Sequence, residues 1–222
     1  MTDIPTKRFL LIDDHEIVRS GVNNVLSVLY KPVEIFEAID GDNAIDILKK
    51  HCFDLVLLDI QMPNTDSFGL LEYINIKFPD TKVLIFSMNA ENVFAKRFLK
   101  AGAKGFVSKD SPLDELTKAI DLALNNKRYI SAKLQNQLAD ELASAENTVN
   151  PFDKLLPKEF EITSLFISGE NIAGISKILN VNTTTIGHYK NKIFKKLEKL
   201  KAKQAKKLAD ALAKKAEVLD NK

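Results

Sequence analysis

Residues 9–16 read FLLIDDHE: four apolar positions in a row, then two aspartates side by side. A short unbroken apolar run suits a strand covered on both faces. The paired charges at its end repel each other, and burial makes that worse. Four more runs of this kind follow at 33–36, 54–58, 82–86 and 105–107. Between them, apolar residues recur at helical spacing over 17–29, 43–50, 68–78, 93–101 and 113–124. Five strands alternating with five helices predict an α/β fold with a doubly wound, five-stranded parallel sheet. In such sheets ligands bind beyond the carboxyl ends of the strands, at the topological switch point.

That rule gathers the polar residues. Asp13 and Asp14 follow the first strand, Asp59 the third, Ser87 the fourth and Lys109 the fifth. Three crowded carboxylates have raised pKa values unless something cationic compensates them. A hard divalent cation does so, and Mg2+ favours one or two carboxylates together with water and a phosphate oxygen. The rim therefore suits Mg2+ and a phosphoryl group, with Lys109 and Ser87 holding its oxygens and one carboxylate as nucleophile. His15 is read as a helix-start residue with no assigned role. His51 is read as a surface residue.

The bulk numbers agree with a globular chain. Of 222 residues, 45% are hydrophobic and 28% charged, and no apolar run reaches the length of a membrane span. The start MTDIPTKRF lacks the pattern of a signal peptide. Cys52 is the lone cysteine, so a disulfide framework and a zinc cluster are excluded and a cytoplasmic setting is expected. Cys52 itself is expected in the core near a strand start. The net charge of +2 hides an asymmetry: residues 1–130 hold 16 basic against 19 acidic side chains, and residues 131–222 hold 16 against 11. An acidic half before a basic half predicts two domains with different partners.

The expected division is 1–127, 128–153 and 154–222. The middle piece is a linker with one helix, since Leu134, Leu138 and Leu142 recur every four residues, before the polar break SAENTVNP at 144–151. Beyond it, Pro157 suits a first helical turn. A short second helix is predicted over 172–179, and Asn182 is placed to cap a third. This small all-α pattern reads as a helix-turn-helix. On the third helix Ile186, Tyr189, Ile193 and Leu197 form the core side. Thr184, Gly187, His188, Asn191 and Lys195 share the opposite face, with Thr185 beside them. Asn191 suits adenine, and Lys190, Lys192 and Lys195 suit phosphates. Past Leu197 the sequence is rich in Ala, Leu and Lys, so continued helix is expected, either as a dimer contact or as a lysine-rich tail.

Residues 7–125 resemble the receiver domain of two-component response regulators, through LLIDDHE, DLVLLDIQMP, VLIFSM and GAKGFVSKDSPLDEL. The resemblance implies that Asp59 accepts a phosphoryl group from a histidine kinase. It implies that Asp14 binds Mg2+ directly, Asp13 largely through water, and that the Gln61 backbone carbonyl adds a ligand. It assigns Lys109 and Ser87 to the phosphate and makes Phe106 the aromatic that turns inward when Ser87 moves. The family usually has glycine where Ser67 stands, which bears on the backbone of the loop after Asp59. Residues 155–200 resemble the LuxR-type helix-turn-helix. Several typical residues differ there: Ile172-Ala173 replaces an Asn-Lys pair, Gly187 a lysine and Tyr189 a histidine.

Together these features predict a phosphorylation-switched DNA-binding transcription regulator, dimeric at least when phosphorylated. Its dimer surface is expected to involve the first and fifth helices. A rival reading is a signalling adaptor whose second domain binds protein, because all four arginines lie in the first half and the usual bidentate reader of guanine is missing from the second. An enzyme is the weaker rival. A phosphatase using Asp59 needs a general acid, and the rim offers none, so only slow self-dephosphorylation is expected.

Overall fold

The structure is a computed structural model, and it describes residues 5–88, 91–143, 151–167 and 169–199. Its first half is a five-stranded, all-parallel sheet with helices on both faces. The strands are β1 (Lys7–Ile12), β2 (Val33–Ala38), β3 (Leu55–Leu58), β4 (Lys82–Ser87) and β5 (Gly105–Ser108), in the spatial order β2-β1-β3-β4-β5. The chain reverses direction across the sheet between β1 and β3, which makes that boundary the switch point. There Ile12 lies opposite Leu58. The next residues, Asp13 and Asp59, therefore leave neighbouring strands at the same level.

Alternation along each strand divides the core. Phe9, Leu11, Leu55 and Leu57 face one side, against Val22 and Leu26 of α1 (Glu16–Leu29) and Leu116 and Ile120 of α5 (Leu113–Leu124). Leu10, Ile12, Val56 and Leu58 face the other, against α2 (Gly41–Leu48), α3 (Ser67–Lys77) and α4 (Glu91–Lys100). The second strand departs from the expected continuous burial. It is an edge strand, only partly buried before Ala38, and its exposed Glu34 and Glu37 pair with Arg8 and Arg19.

Helix starts follow side-chain caps that periodicity alone misses. Asp40 accepts from the Asn43 N–H, so α2 begins two residues before the apolar pattern does. Asp66 likewise accepts from the Gly69 N–H and starts α3 at Ser67. The exchange of glycine for serine at 67 is thereby explained. Ser67 is a first-turn helical residue whose buried hydroxyl donates to the Asp59 carbonyl at 3.3 Å. The left-handed backbone of this loop belongs to Asn64, at φ 55°. One expectation is corrected: Cys52 is exposed rather than core. The buried place before β3 goes to Phe53, against Phe36. His51 is exposed, as expected, and stacks on Phe36.

After α5, Tyr129 is pinned by its N–H to the Lys104 carbonyl at 2.8 Å, and its hydroxyl donates to Glu115. Helix α6 (Ala132–Ala143) then buries Leu134, with Leu138 packed beside it. The side chain of Leu142 and the break at 144–150 lie outside the described residues. A 3-10 turn (Pro151–Lys154) precedes α7 (Pro157–Ile167) and α8 (Ile172–Ile178), and a further helix, α9, runs from 183 through 199. Pro157 opens α7, and the Glu159 carboxylate reaches back to accept the Leu156 N–H at 2.9 Å, one of the N–H groups left free at a helix start. Asn182 accepts from the Thr184 N–H at the start of α9. The expected extension beyond 199 lies outside the described residues.

Candidate functional site

The ends of β1, β3, β4 and β5 bring Asp13, Asp14, Asp59, Ser87 and Lys109 into one pocket. Asp59 is 2% exposed, and both its oxygens are engaged. Ser87 Oγ donates to Oδ1 at 2.6 Å, as does the Gln61 N–H at 3.0 Å; Lys109 Nζ lies 2.7 Å from Oδ2. Lys109 also reaches Asp13 Oδ2 at 2.5 Å. Burial alone would lower the Lys109 pKa, but the bonds to Asp13 and Asp59 outweigh it and raise the value. The ammonium is therefore charged, and it already bridges two carboxylates that would otherwise repel.

Ligand atoms of Asp13, Asp14, His15 and Asp59 all lie within 4.8 Å of one another. That spacing and the oxygen-rich donor set fit a small hard cation between Asp13, Asp14 and Asp59. Asp14 is the more exposed partner, with its Oδ1 2.9 Å from His15 Nδ1. Gln61 sits two residues beyond Asp59 and is tied to it by its N–H. Phe106 is buried in the sheet core on β5.

Sequence reasoning missed one contributor to this pocket. Arg19, on the buried side of α1, donates from Nη1 to the Asp13 carbonyl at 2.8 Å and from Nε to Glu37 at 2.9 Å. It fixes the backbone that presents the acidic pair. An arginine on the apolar face of a helix, six residues past Asp13, was the available signal.

In the second half, Ile186 and Ile193 of α9 are buried, and Tyr189 and Leu197 pack beside them. Thr184, Thr185, His188, Asn191, Lys192 and Lys195 are exposed, and Lys190 is half-buried. Two of these lysines also serve the domain itself: Lys190 Nζ lies 5.8 Å from the Phe166 ring centroid, and Lys192 pairs with Glu159 at 3.2 Å. Burial would push the Glu159 pKa up. Lys196 at 2.7 Å, the Leu156 N–H and Lys192 outweigh that and hold it at about 2. Gly187 faces open space, where a Cβ would touch nothing within 4 Å.

A parallel sheet whose carboxyl end carries three acids, a serine and a lysine defines a receiver domain. The model of the response regulator receiver domain matches residues 9–121. The response regulator UvrY of Escherichia coli K12 is 30% identical over 188 residues, covering 85% of this chain and 86% of that protein. The response regulator GacA of Pseudomonas viridiflava is 32% identical over 192 residues, covering 86% and 89%. Among solved structures, RcsB of Salmonella enterica serovar Typhimurium, bound to the rprA promoter with the phosphomimetic BeF3−, superposes with a TM-score of 0.69. It is 26% identical and covers 87% of this chain and 93% of its own. The chain belongs to the two-component response regulators, of the LuxR type. No helix among the described residues is long and apolar enough to cross a membrane.

Proposed function

We propose that the chain is a DNA-binding transcription regulator switched by phosphorylation of Asp59. The observation that carries this reading is the Asp59 carboxylate, buried yet held by Ser87 on one oxygen and Lys109 on the other. A phosphohistidine of a partner kinase is the donor. Asp59 attacks phosphorus, the P–N bond breaks, its electron pair stays on the imidazole nitrogen, and an acyl phosphate forms. Lys109 and Ser87 then pass from carboxylate oxygens to phosphoryl oxygens. Asp13, Asp14, Asp59 and the Gln61 carbonyl are the residues to hold Mg2+, which when bound neutralises phosphoryl charge. Phe106 follows Ser87 as the switch aromatic. Lys109 and Ser87 are committed to the phosphoryl oxygens, and the chemistry ends at slow loss of the chain's own phosphoryl group.

The output is double-stranded DNA, met by the exposed face of α9. Asn191 is the candidate base reader, and Thr184, Thr185, His188, Lys190, Lys192 and Lys195 are the surrounding contacts. A phosphorylated homodimer presents two such helices, and linking them raises affinity without any new contact. The test is selection from random duplexes by the full chain, with and without Mg2+ and BeF3−. Enrichment that grows with BeF3− is expected. If nothing is enriched, the adaptor reading replaces this one. The open space at Gly187, where a side chain would enter the groove, is the observation that favours an adaptor.

A further inference from the structure

The outward face of α9 separates its amides and hydroxyls from its charges. Ile186 and Ile193 are buried on the core side. Thr184, His188 and Asn191 stand exposed on the other, with Gly187 between them in the sequence. The lysines lie beside or beyond this strip. Lys190 is half-buried, its Nζ 5.8 Å from the Phe166 ring centroid. Lys192, Lys195, Lys196 and Lys199 line one groove beside the buried Glu159, which Lys196 meets at 2.7 Å and Lys192 at 3.2 Å.

A recognition helix meets base edges with its N-terminal residues and phosphates with its flanks. Asn182 caps α9 by accepting the Thr184 N–H at 2.9 Å, so the strip from Thr184 to Asn191 occupies its first turns. Guanine is read by a bidentate guanidinium or ammonium. Residues 131–222 hold no arginine, and the strip carries no lysine. It does carry the partners of an A·T pair. The Asn191 amide matches adenine N6 and N7, and the Thr184 methyl suits the thymine C5 methyl. Gly187 lies four residues before Asn191, about 6 Å from it along the axis. A Cβ at Gly187 would touch nothing within 4 Å, so packing inside the domain does not require glycine there. Glycine weakens a helix interior, but it lets backbone approach a ligand closely.

We infer that Thr184, Gly187 and Asn191 make the chain a major-groove reader of A·T base pairs. The Asn191 amide takes adenine. The bare backbone at Gly187 and the Thr184 methyl take the thymine methyl. This assignment rests on the reading of α9 as the DNA-contacting helix.

The test is competition for the full chain, with Mg2+ and BeF3−, against a fluorescent random-sequence duplex. The competitors are the alternating polymers poly(dA-dT), poly(dA-dU) and poly(dI-dC). The second lacks only the thymine methyl. The third keeps guanine's major-groove edge without its minor-groove amino group. Poly(dA-dT) is expected to compete at least about fivefold more strongly than poly(dI-dC), the lower end of what one bidentate base contact gives, with poly(dA-dU) between them. Asn191→Ala is expected to lose the preference over poly(dI-dC). Gly187→Lys is expected to bind every polymer more tightly and to lose the preference over poly(dA-dU). Salt-sensitive binding with poly(dA-dT) equal to either other polymer overturns the inference and leaves DNA binding intact. Preferences that persist unchanged in both variants overturn it too. Wild type that binds no duplex overturns the DNA reading, and the inference with it.

Discussion

Replacing Lys109 by methionine removes a charge and keeps most of the buried stem. In the folded protein the ammonium lies 2.5 Å from Asp13 and 2.7 Å from Asp59, and the three side chains are only 7%, 7% and 2% exposed. At the surface such pairs contribute about 0–1 kcal/mol. Removing one partner of a buried pair costs about 3–5 kcal/mol, because the remaining charge is stranded. Here two carboxylates are stranded together, so the loss belongs at the upper figure. It is a large part of the roughly 5–15 kcal/mol that holds a domain folded. Mg2+ is the natural substitute cation, and a ligand at a hundred times its dissociation constant stabilises by about 2.7 kcal/mol. The assay is urea unfolding of wild type and Lys109→Met, in EDTA and in saturating Mg2+. The variant is expected to lose about 3–5 kcal/mol in EDTA and to gain more from Mg2+ than wild type does. A loss under about 1 kcal/mol in EDTA, or equal gains from Mg2+, refutes the idea that Lys109 balances the acidic pocket.

Gly187→Ala is expected to stabilise the helix-turn-helix by about 1 kcal/mol, because the site is helical and open, with an unchanged urea midpoint as the contrary result. Gly187→Lys is expected to tighten DNA binding and steepen its salt slope by about 1; an unchanged slope would place Gly187 away from the phosphates. Replacing Lys190, Lys192 and Lys195 together by alanine is expected to flatten that slope by about 2–3, and unchanged affinity would exclude α9 as the reading helix. Acidity is expected to act through Glu161, whose carboxyl is pushed up to about 7 by burial and by Asp66 of the receiver, against the opposing pull of Lys158. The folded state binds that proton more tightly than the unfolded chain. Glu161 therefore contributes stability at low pH that is lost as pH rises from about 4.5 to about 7. Glu161→Gln is expected to remove this slope from urea midpoints measured across that window; an unaltered slope would assign it to another group.

The receiver was legible because its signals are local. The strands other than β2 are short apolar runs, Asp13, Asp59 and Lys109 follow theirs by one residue and Ser87 ends its own, so topology alone assembles these four groups. Element ends were less legible where a side-chain cap set them, as at Asp40 and Asp66. Cys52 was misplaced because a single apolar residue beside a strand carries no phase, and Phe53 takes the buried position. Arg19 escaped notice because its partner at the pocket is the Asp13 backbone carbonyl, and its other partner, Glu37, lies on a different strand eighteen residues away. The packing of the two halves was not legible at all. Arg97 and Phe160 meet across more than fifty residues, and each alone looks like an ordinary member of an amphipathic helix.

Phosphorylation at the Asp59 carboxylate is the central step. The most direct measurement is transfer of labelled phosphate from a small phosphodonor such as phosphoramidate in the presence of Mg2+. Wild type is expected to acquire a hydroxylamine-labile label that EDTA prevents, while Asp59→Asn remains unlabelled. A folded Asp59→Asn chain that takes up the same labile label contradicts it.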